Sequence, residues 1–391
     1  MSKSAASGSE LCWAAYRKFR CRPCVASGSL LLCWAVLSMA PAFPAAAGDL
    51  GIEAVFPSPL SSLQMPGIPL GRALAYDSGE SAPILEPWDS VLFHGNSKQP
   101  QLVFEISRSD VSGRWSEWTK VEVKRFDNGR FWGKATFELG PGAVRIRATA
   151  RGWLSRPVEV YGVEAFSSSE RSPAPQGRQA PLSDPIPRPG VYSRIKWRAG
   201  APREPYAYHV PVRITLHHSA GSYPQSEEES LKEVLFIQDY HQNGRNWSDI
   251  AYHFLIDSHG RIFEGRPETV EGAHTQDNNP GNIGIALLGT HHPPKNNALT
   301  PLENEAIVNI GRYLVAQYDI DPESLRGHRD YRPTNCPGDI AYALMGSLRR
   351  EFGRGRAMSK IQKKAEIDWG QVQQRAILHK ALGVSTQIMS P

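Results

Sequence analysis

The stretch Arg213-Ile214-Thr215-Leu216-His217-His218-Ser219 decides how the C-terminal half of the chain is read. Arg213–Leu216 reads as a short buried strand. The two histidines and Ser219 stand at its end, where sites on α/β sheets tend to lie. Downstream, Ser226-Glu227-Glu228-Glu229 has the spacing of a capping box and opens a helix with Leu231, Val234 and Leu235 on one face. Ile250–Ile256 reads as a strand, with Tyr252 and Phe254 on one side and His253 and Leu255 on the other. Asp257–Gly260 is a turn into Arg261–Glu264, and Ile283–Leu288 is a further apolar strand. Thr300-Pro301-Leu302-Glu303 caps a second helix, with Ala306, Ile307, Ile310 and Leu314 inward. A third helix is expected from Pro337 to about Phe352. The order is βαβββαα, a mixed sheet flanked by helices, and the region spans 191–352.

Upstream the signals change. Residues 48 to about 70 are rich in Pro, Ser and Gly. Gln101–Ile106, Thr119–Val123, Lys134–Glu138, Ala143–Ala148 and Val158–Val163 are alternating or β-branched runs. Asp127-Asn128-Gly129 and Gly140-Pro141-Gly142 punctuate them. No helix interrupts these runs, so 48–170 reads as an antiparallel β-sandwich. Trp115, Trp118 and Trp132 read either as a carbohydrate-stacking platform or as packing. Residues 171–190 form a Pro-rich, semi-extended linker, and 353–391 form a tail of modest helical periodicity. The whole is a multidomain chain with the α/β domain second.

Composition bounds the function. A length of 391 residues suggests two or three domains, and 40% hydrophobic with 21% charged residues is ordinary for a globular protein. Residues 1–47 read as a signal peptide. Lys3, Arg17, Lys18, Arg20 and Arg22 precede an apolar run from Leu30 to Met39, and Ala45 and Ala47 supply an A-x-A cleavage site. The run is short of the roughly twenty residues of a membrane span. The leader holds five of the 44 basic residues and one of the 39 acids, so the formal charge of +5 drops to +1 without it. That balance leaves no basis for a nucleic-acid partner. Cys12, Cys21, Cys24 and Cys33 also lie in the leader, which leaves Cys336 alone in an exported, monomeric protein without stable membrane insertion.

Ten of the 12 histidines lie between His209 and His328. His217, at its strand end, and the segment from Gly327-His328 to Cys336-Pro337 could meet at one edge of the sheet. Two histidines and a cysteine make a reasonable tetrahedral Zn²⁺ set with one position open. The alternative is that these are unrelated residues. His253 reads as a core or supporting histidine, and His291-His292, before Pro293-Pro294, as surface residues.

Several segments then carry a resemblance, in one order: Ser193-Arg194-Ile195-Lys196-Trp197, Ile214-Thr215-Leu216-His217-His218-Ser219-Ala220, Ile250-Ala251-Tyr252-His253-Phe254-Leu255-Ile256, Ile262-Phe263-Glu264-Gly265-Arg266, Gly272-Ala273-His274 with Asn282-Ile283-Gly284-Ile285-Ala286, and Gly327-His328-Arg329-Asp330 with Thr334-Asn335-Cys336-Pro337-Gly338. Residues 192–345 resemble the zinc-dependent N-acetylmuramoyl-L-alanine amidases of the phage-lysozyme and peptidoglycan-recognition-protein type.

The resemblance implies one zinc ion held by His217, His328 and Cys336, with His217 preferred over His218. It implies Tyr252 and Thr334 as catalytic groups, and His218, His274, Asn282 and Arg266 as substrate-binding residues. Arg198 departs from the glycine usual after the tryptophan, which touches only loop geometry. Silent recognition members lack the cysteine, which is present here. The implied activity is hydrolysis of the amide between N-acetylmuramic acid and L-alanine in peptidoglycan, by a periplasmic or extracellular cell-wall enzyme. Two alternatives remain: a module that binds muropeptides without cutting them, and a zinc hydrolase that cuts another amide.

Overall fold

The computed structural model describes residues 52–56, 60, 72–99, 101–151, 157–168, 186–203 and 206–381. The expected leader and most of the expected linker lie outside the described residues. The first part of the chain is all strand: β1 (Ile52–Glu53), β2 (Arg72–Asp77), β3 (Ile84–Asn96), β4 (Val103–Arg108), β5 (Thr119–Val121), β6 (Val123–Arg125), β7 (Arg130–Gly142), β8 (Val144–Arg151) and β9 (Glu159–Phe166). They form two antiparallel sheets, ordered β1-β9-β3-β7-β6 and β2-β8-β4-β5. Both contribute to one core, in which Trp88, Phe93, Phe131 and Val163 of the first meet Phe104, Val144 and Ile146 of the second.

Three details differ from the sequence reading, each for a physical reason. The longest omission is β3, whose residues Ser90–Gly95 are buried without a break. Phe93 faces the core between the sheets while Leu92 packs into a second core with Trp197 and Phe236, so no polar alternation marks the strand. The run Thr119–Val123 divides because β5 pairs with β4 in one sheet and β6 with β7 in the other. Gly140-Pro141-Gly142 is not a turn but the end of β7, with Gly140 opposite Trp88 and Gly142 opposite Ile84. The three tryptophans are half-buried, each with a polar neighbour. The Arg145 guanidinium lies 4.4 Å from the Trp115 ring and 4.6 Å from that of Trp118, Arg147 lies 4.2 Å from Trp118, and Trp132 Nε1 donates to Asp239 at 2.8 Å.

The second part runs β10 (Val191–Tyr192), β11 (Arg213–His218), α1 (Glu227–Asp239), β12 (Phe254–Ile256), β13 (Ile262–Glu264), β14 (Asn282–Leu287), α2 (Pro301–Tyr318), β15 (Arg326–Gly327), α3 (Asp339–Tyr342) and α4 (Met345–Ala381). The sheet order is β10-β13-β12-β14-β11-β15, and only β12 with β13 is antiparallel. This is the expected mixed sheet with two added two-residue strands, β10 and β15. One face packs Ile214, Leu216, Phe254 and Ile285 under α2 and α4. The other packs Leu255, Phe263 and Ala286 under Val234 and Ile237 of α1.

Local chemistry sets the helix boundaries. Ser226 Oγ accepts from Glu229 N–H at 3.2 Å and starts α1, whereas the Glu229 carboxylate turns to Gln225 N–H instead of closing the box. Thr300 and Glu303 complete the reciprocal box at α2. The expected helix from Pro337 to Phe352 is divided into α3 and α4, and it starts only at Asp339 because Gly338 has φ +94°, a backbone angle that no right-handed helix contains. The tail assigned to 353–391 continues α4 as far as Ala381.

Helix α4 crosses α2 closely at Gly311, where an added Cβ would lie 1.9 Å from the Phe352 ring. Phe352 is itself fully buried. Phe352→Ala therefore leaves a void on the helix face of the sheet and is expected to cost roughly 3–5 kcal/mol in urea unfolding. A loss under about 1 kcal/mol would mean that α4 is not needed to cover the sheet.

Candidate metal centre

Strand pairing brings the candidate residues together. Leu216 of β11 lies opposite Gly327 of β15, so His217 on β11 and His328, which follows β15 directly, emerge side by side. Their ring centres are 4.7 Å apart. Cys336 arrives through a loop knitted by Arg329, whose N–H donates to the Cys336 carbonyl at 3.0 Å and whose guanidinium reaches Asp339 at 2.8 Å. One potential ligand atom from each of His217, His328 and Cys336 lies within 4.8 Å of the others, and all three residues are buried.

Hydrogen bonds fix which atoms face inward. His274 Nε2 lies 3.0 Å from the Asn282 carbonyl, which can only accept, so Nε2 of His274 carries the proton and Nδ1 is an acceptor. His217 Nε2 lies 3.1 Å from that Nδ1 and donates to it. The His217 lone pair is thereby left on Nδ1, the atom 3.5 Å from Cys336 Sγ. This is the arrangement in which a partner on the far nitrogen sets a metal-binding tautomer. The Cys336 sulfur accepts from His218 N–H at 3.4 Å, and Thr334 Oγ1 accepts from Cys336 N–H at 3.1 Å.

Burial holds every nearby imidazole neutral. It pushes His217 far below its ordinary value, with the neighbouring His328 adding to the effect. It lowers His328 to about 3 and His274 to about 3. Two neutral imidazoles and a thiol in a buried triangle are donors suited to zinc.

The Tyr252 ring stands 5.3 Å from that of His217. It does not lie on a strand, because β12 begins only at Phe254. Tyr252 consequently joins Leu255 on one side of the sheet while Phe254 packs on the other, so the expected alternation from Ile250 fails.

The four residues expected to touch substrate are all in the interior. His274 supports His217, as above. Asn282 accepts from Thr215 Oγ1 at 2.9 Å and donates to the Asn278 carbonyl at 3.0 Å. Arg266 donates to the carbonyls of Ile250 at 2.7 Å and Glu271 at 2.8 Å. His218 Nδ1 accepts from His291 N–H at 3.3 Å. These residues brace the site from within, because their polar atoms are engaged by backbone and neighbouring side chains. His253 is likewise structural, bonding the Val270 carbonyl at 2.7 Å and Gly284 N–H at 2.9 Å. His291, expected on the surface, is buried 3.6 Å from Glu303, with His291 lowered to about 4 and Glu303 raised to about 8 by desolvation.

The family described as N-acetylmuramoyl-L-alanine amidase matches residues 207–339. Peptidoglycan-recognition protein LB of Drosophila melanogaster is 34% identical over 176 residues, which are 44% of this chain and 73% of that protein. Peptidoglycan recognition protein 1 of Mus musculus is 33% identical over 162 residues, 40% of this chain and 86% of the relative. The chain belongs to the peptidoglycan-recognition protein family. The solved structure of wild-type Drosophila PGRP-LB aligns at 32% identity over 40% of this chain and 93% of its own, with a TM-score of 0.36. The peptidoglycan-recognition domain contains the histidine–cysteine cluster. Sequence reading missed His241, whose ring lies 5.8 Å from Tyr252, because its neighbours Tyr240 and Gln242 carry no recognisable pattern.

The buried histidines make a prediction about acid. Burial holds His94, His241 (lowered to about 3) and His253 neutral in the fold, whereas in the unfolded chain they titrate near 6.5. Below that pH the unfolded state binds more protons, so stability present above about pH 6.5 is lost as pH falls. Glu303, raised to about 8, Glu271, raised to about 7, and Glu268, also raised, act oppositely, their contribution being lost as pH rises, but the buried histidines outnumber them. The thermal midpoint of the metal-free protein should fall steadily between about pH 6.5 and pH 4. A midpoint that rises on acidification would contradict this.

Proposed function

We propose that the protein is a zinc-dependent amidase that hydrolyses the bond between N-acetylmuramic acid and L-alanine in peptidoglycan. The observation that carries the reading is the buried triangle of His217, His328 and Cys336 beside Tyr252. These three residues would hold one zinc ion, which when bound supplies a Lewis acid and lowers the pKa of water to near neutrality. The His274–His217 hydrogen bond keeps the His217 ring in one tautomer and orientation. The His218 N–H steadies the Cys336 sulfur in its anionic form. The Tyr252 hydroxyl donates to the oxygen of the scissile carbonyl as charge builds there, a contribution of roughly 3 kcal/mol when such a donor is preorganised. Thr334 holds the Cys336 backbone in place and borders the water's approach.

The remaining assignments follow the same reading. The two antiparallel sheets around one core support a β-sandwich for 48–170, joined to the catalytic domain at 191–352 by the Pro-rich linker. The chain is exported as a monomer and acts at the cell wall on peptidoglycan and muropeptides. Among the described residues, no helix is long and apolar enough to cross a membrane.

The test uses the full chain on peptidoglycan sacculi, with mass analysis of the products. Zinc-loaded protein should release intact stem peptides that begin with L-alanine, and a chelator should stop it. Cys336→Ser should lose both bound zinc and at least about 10³-fold in turnover, as removal of a catalytic ligand does. Binding of sacculi without released peptide would favour a recognition module, and peptides cut internally would favour another amide.

A further inference from the structure

The turn that follows α1 has one side against the β-domain and the other against Tyr252. Tyr240–Gly244 closes as a single π-helical turn, with Arg245 N–H donating to the Tyr240 carbonyl at 3.0 Å. Such turns are rare and gather at functional sites. From the β-domain, His94 packs edge-on against Tyr240 with ring centres 5.0 Å apart. Leu92 lies so close to Gly244 that a Cβ there would meet it at 3.0 Å. Glu164 forms a fully buried ion pair with Arg245, the residue that closes the turn. Just before it, Asp239 is held by Lys124 and by Trp132 Nε1. A second fully buried pair, Arg130 with Glu233 at 2.9 Å, fastens α1 nearly two turns earlier, and Glu233 also accepts from Ser222 N–H at 3.3 Å in the loop that follows His218.

On its inner side the same turn presents His241. The Nδ1 of His241 accepts from Ala251 N–H at 3.2 Å, the residue before Tyr252. Its ring stacks on Trp247 with centres 5.0 Å apart and meets the Tyr252 ring nearly at right angles at 5.8 Å. Arg266 N–H donates to the Tyr252 carbonyl at 2.9 Å and holds its backbone, while His241 meets its ring and the amide of the residue before it. A cavity of about 30 Å³ runs along this contact, and its walls include His94, Arg130 and Glu164 of the β-domain together with Ser219, His241 and Tyr252. The β-domain and the metal centre are thus separated by a single layer.

We infer that His241 is a positioning residue for Tyr252 and that the β-domain holds it in place by clamping the 240–244 turn. The assignment of Tyr252 to catalysis rests on the function proposed above, but the positioning itself is readable without turnover. The β-domain then supplies part of the amidase site instead of being a detachable tether.

The test compares full-length His241→Leu, His241→Asn and Leu92→Ala with the unaltered protein, by hydrogen exchange and by zinc-loaded kinetics on a soluble muropeptide. In His241→Leu the Ala251 amide loses its acceptor, and its exchange should quicken about tenfold while β14 stays protected. For the same variant, kcat should fall roughly tenfold or more with KM within about twofold. Asn places an acceptor near the former Nδ1 and should restore most of both. Leu92→Ala, made only in the β-domain, should loosen 250–253 ahead of β14. Unchanged exchange at Ala251 in His241→Leu would overturn the inference, as would uniform loosening of the whole domain by Leu92→Ala. If the unaltered protein shows no turnover, the amidase reading fails and exchange alone still decides the positioning.

Discussion

The register of three parallel strands determines the site. With Leu216 opposite Gly327 and His217 opposite Ala286, the end of β11 stands between β14 and β15 at one sheet edge. The two histidines are 111 positions apart in sequence, yet the ladder leaves them adjacent with no loop geometry to specify. A one-residue slip of β15 would send His328 to the other face of the sheet, and with it the third side of the donor triangle. The register is strongly specified because Ile214, Leu216, Ile283 and Ile285 are all committed to the buried face under α2 and α4.

Around this edge, most polar groups serve one another. His274 bonds His217, Asn282 bonds Thr215, Arg266 ties two loop carbonyls and His218 meets the His291 backbone. Residues for which the resemblance implied substrate contact are buried and brace the candidate metal centre from within. Burial keeps the imidazoles neutral and so preserves their lone pairs.

The sequence exposed the α/β domain readily because its signals are local. The capping residues at Ser226 and Thr300, the turn at Asp257–Gly260 and the apolar runs of β11 and β14 each state their structure within a few residues. The β-domain was harder where strands serve two partners at once. Strand β3 carries Phe93 to one core and Leu92 to another, which erases alternation, and the chain at Glu122 changes sheets within a run that looks continuous. The third helix starts two residues later than its Pro337 signal because Gly338 sets a left-handed backbone angle there.

The sequence by itself pointed to His217, His328 and Cys336 as candidate donors through residue type and strand-end position, with His217 chosen over His218 through the family resemblance. Local pattern also determined the mixed sheet, since hydrophobic periodicity and caps act over single elements. Only the tertiary structure decided what surrounds that set. Which histidine nitrogen is free follows from a hydrogen-bond relay through His274 and Asn282. Whether Arg266 faces water or backbone follows from packing, and so does the contact of a domain-bridging turn with Tyr252. Those outcomes depend on contacts between residues far apart in the chain, among them the buried pairs Arg130–Glu233 and Arg245–Glu164. Separation in sequence hides such pairs until the fold brings them out of water together.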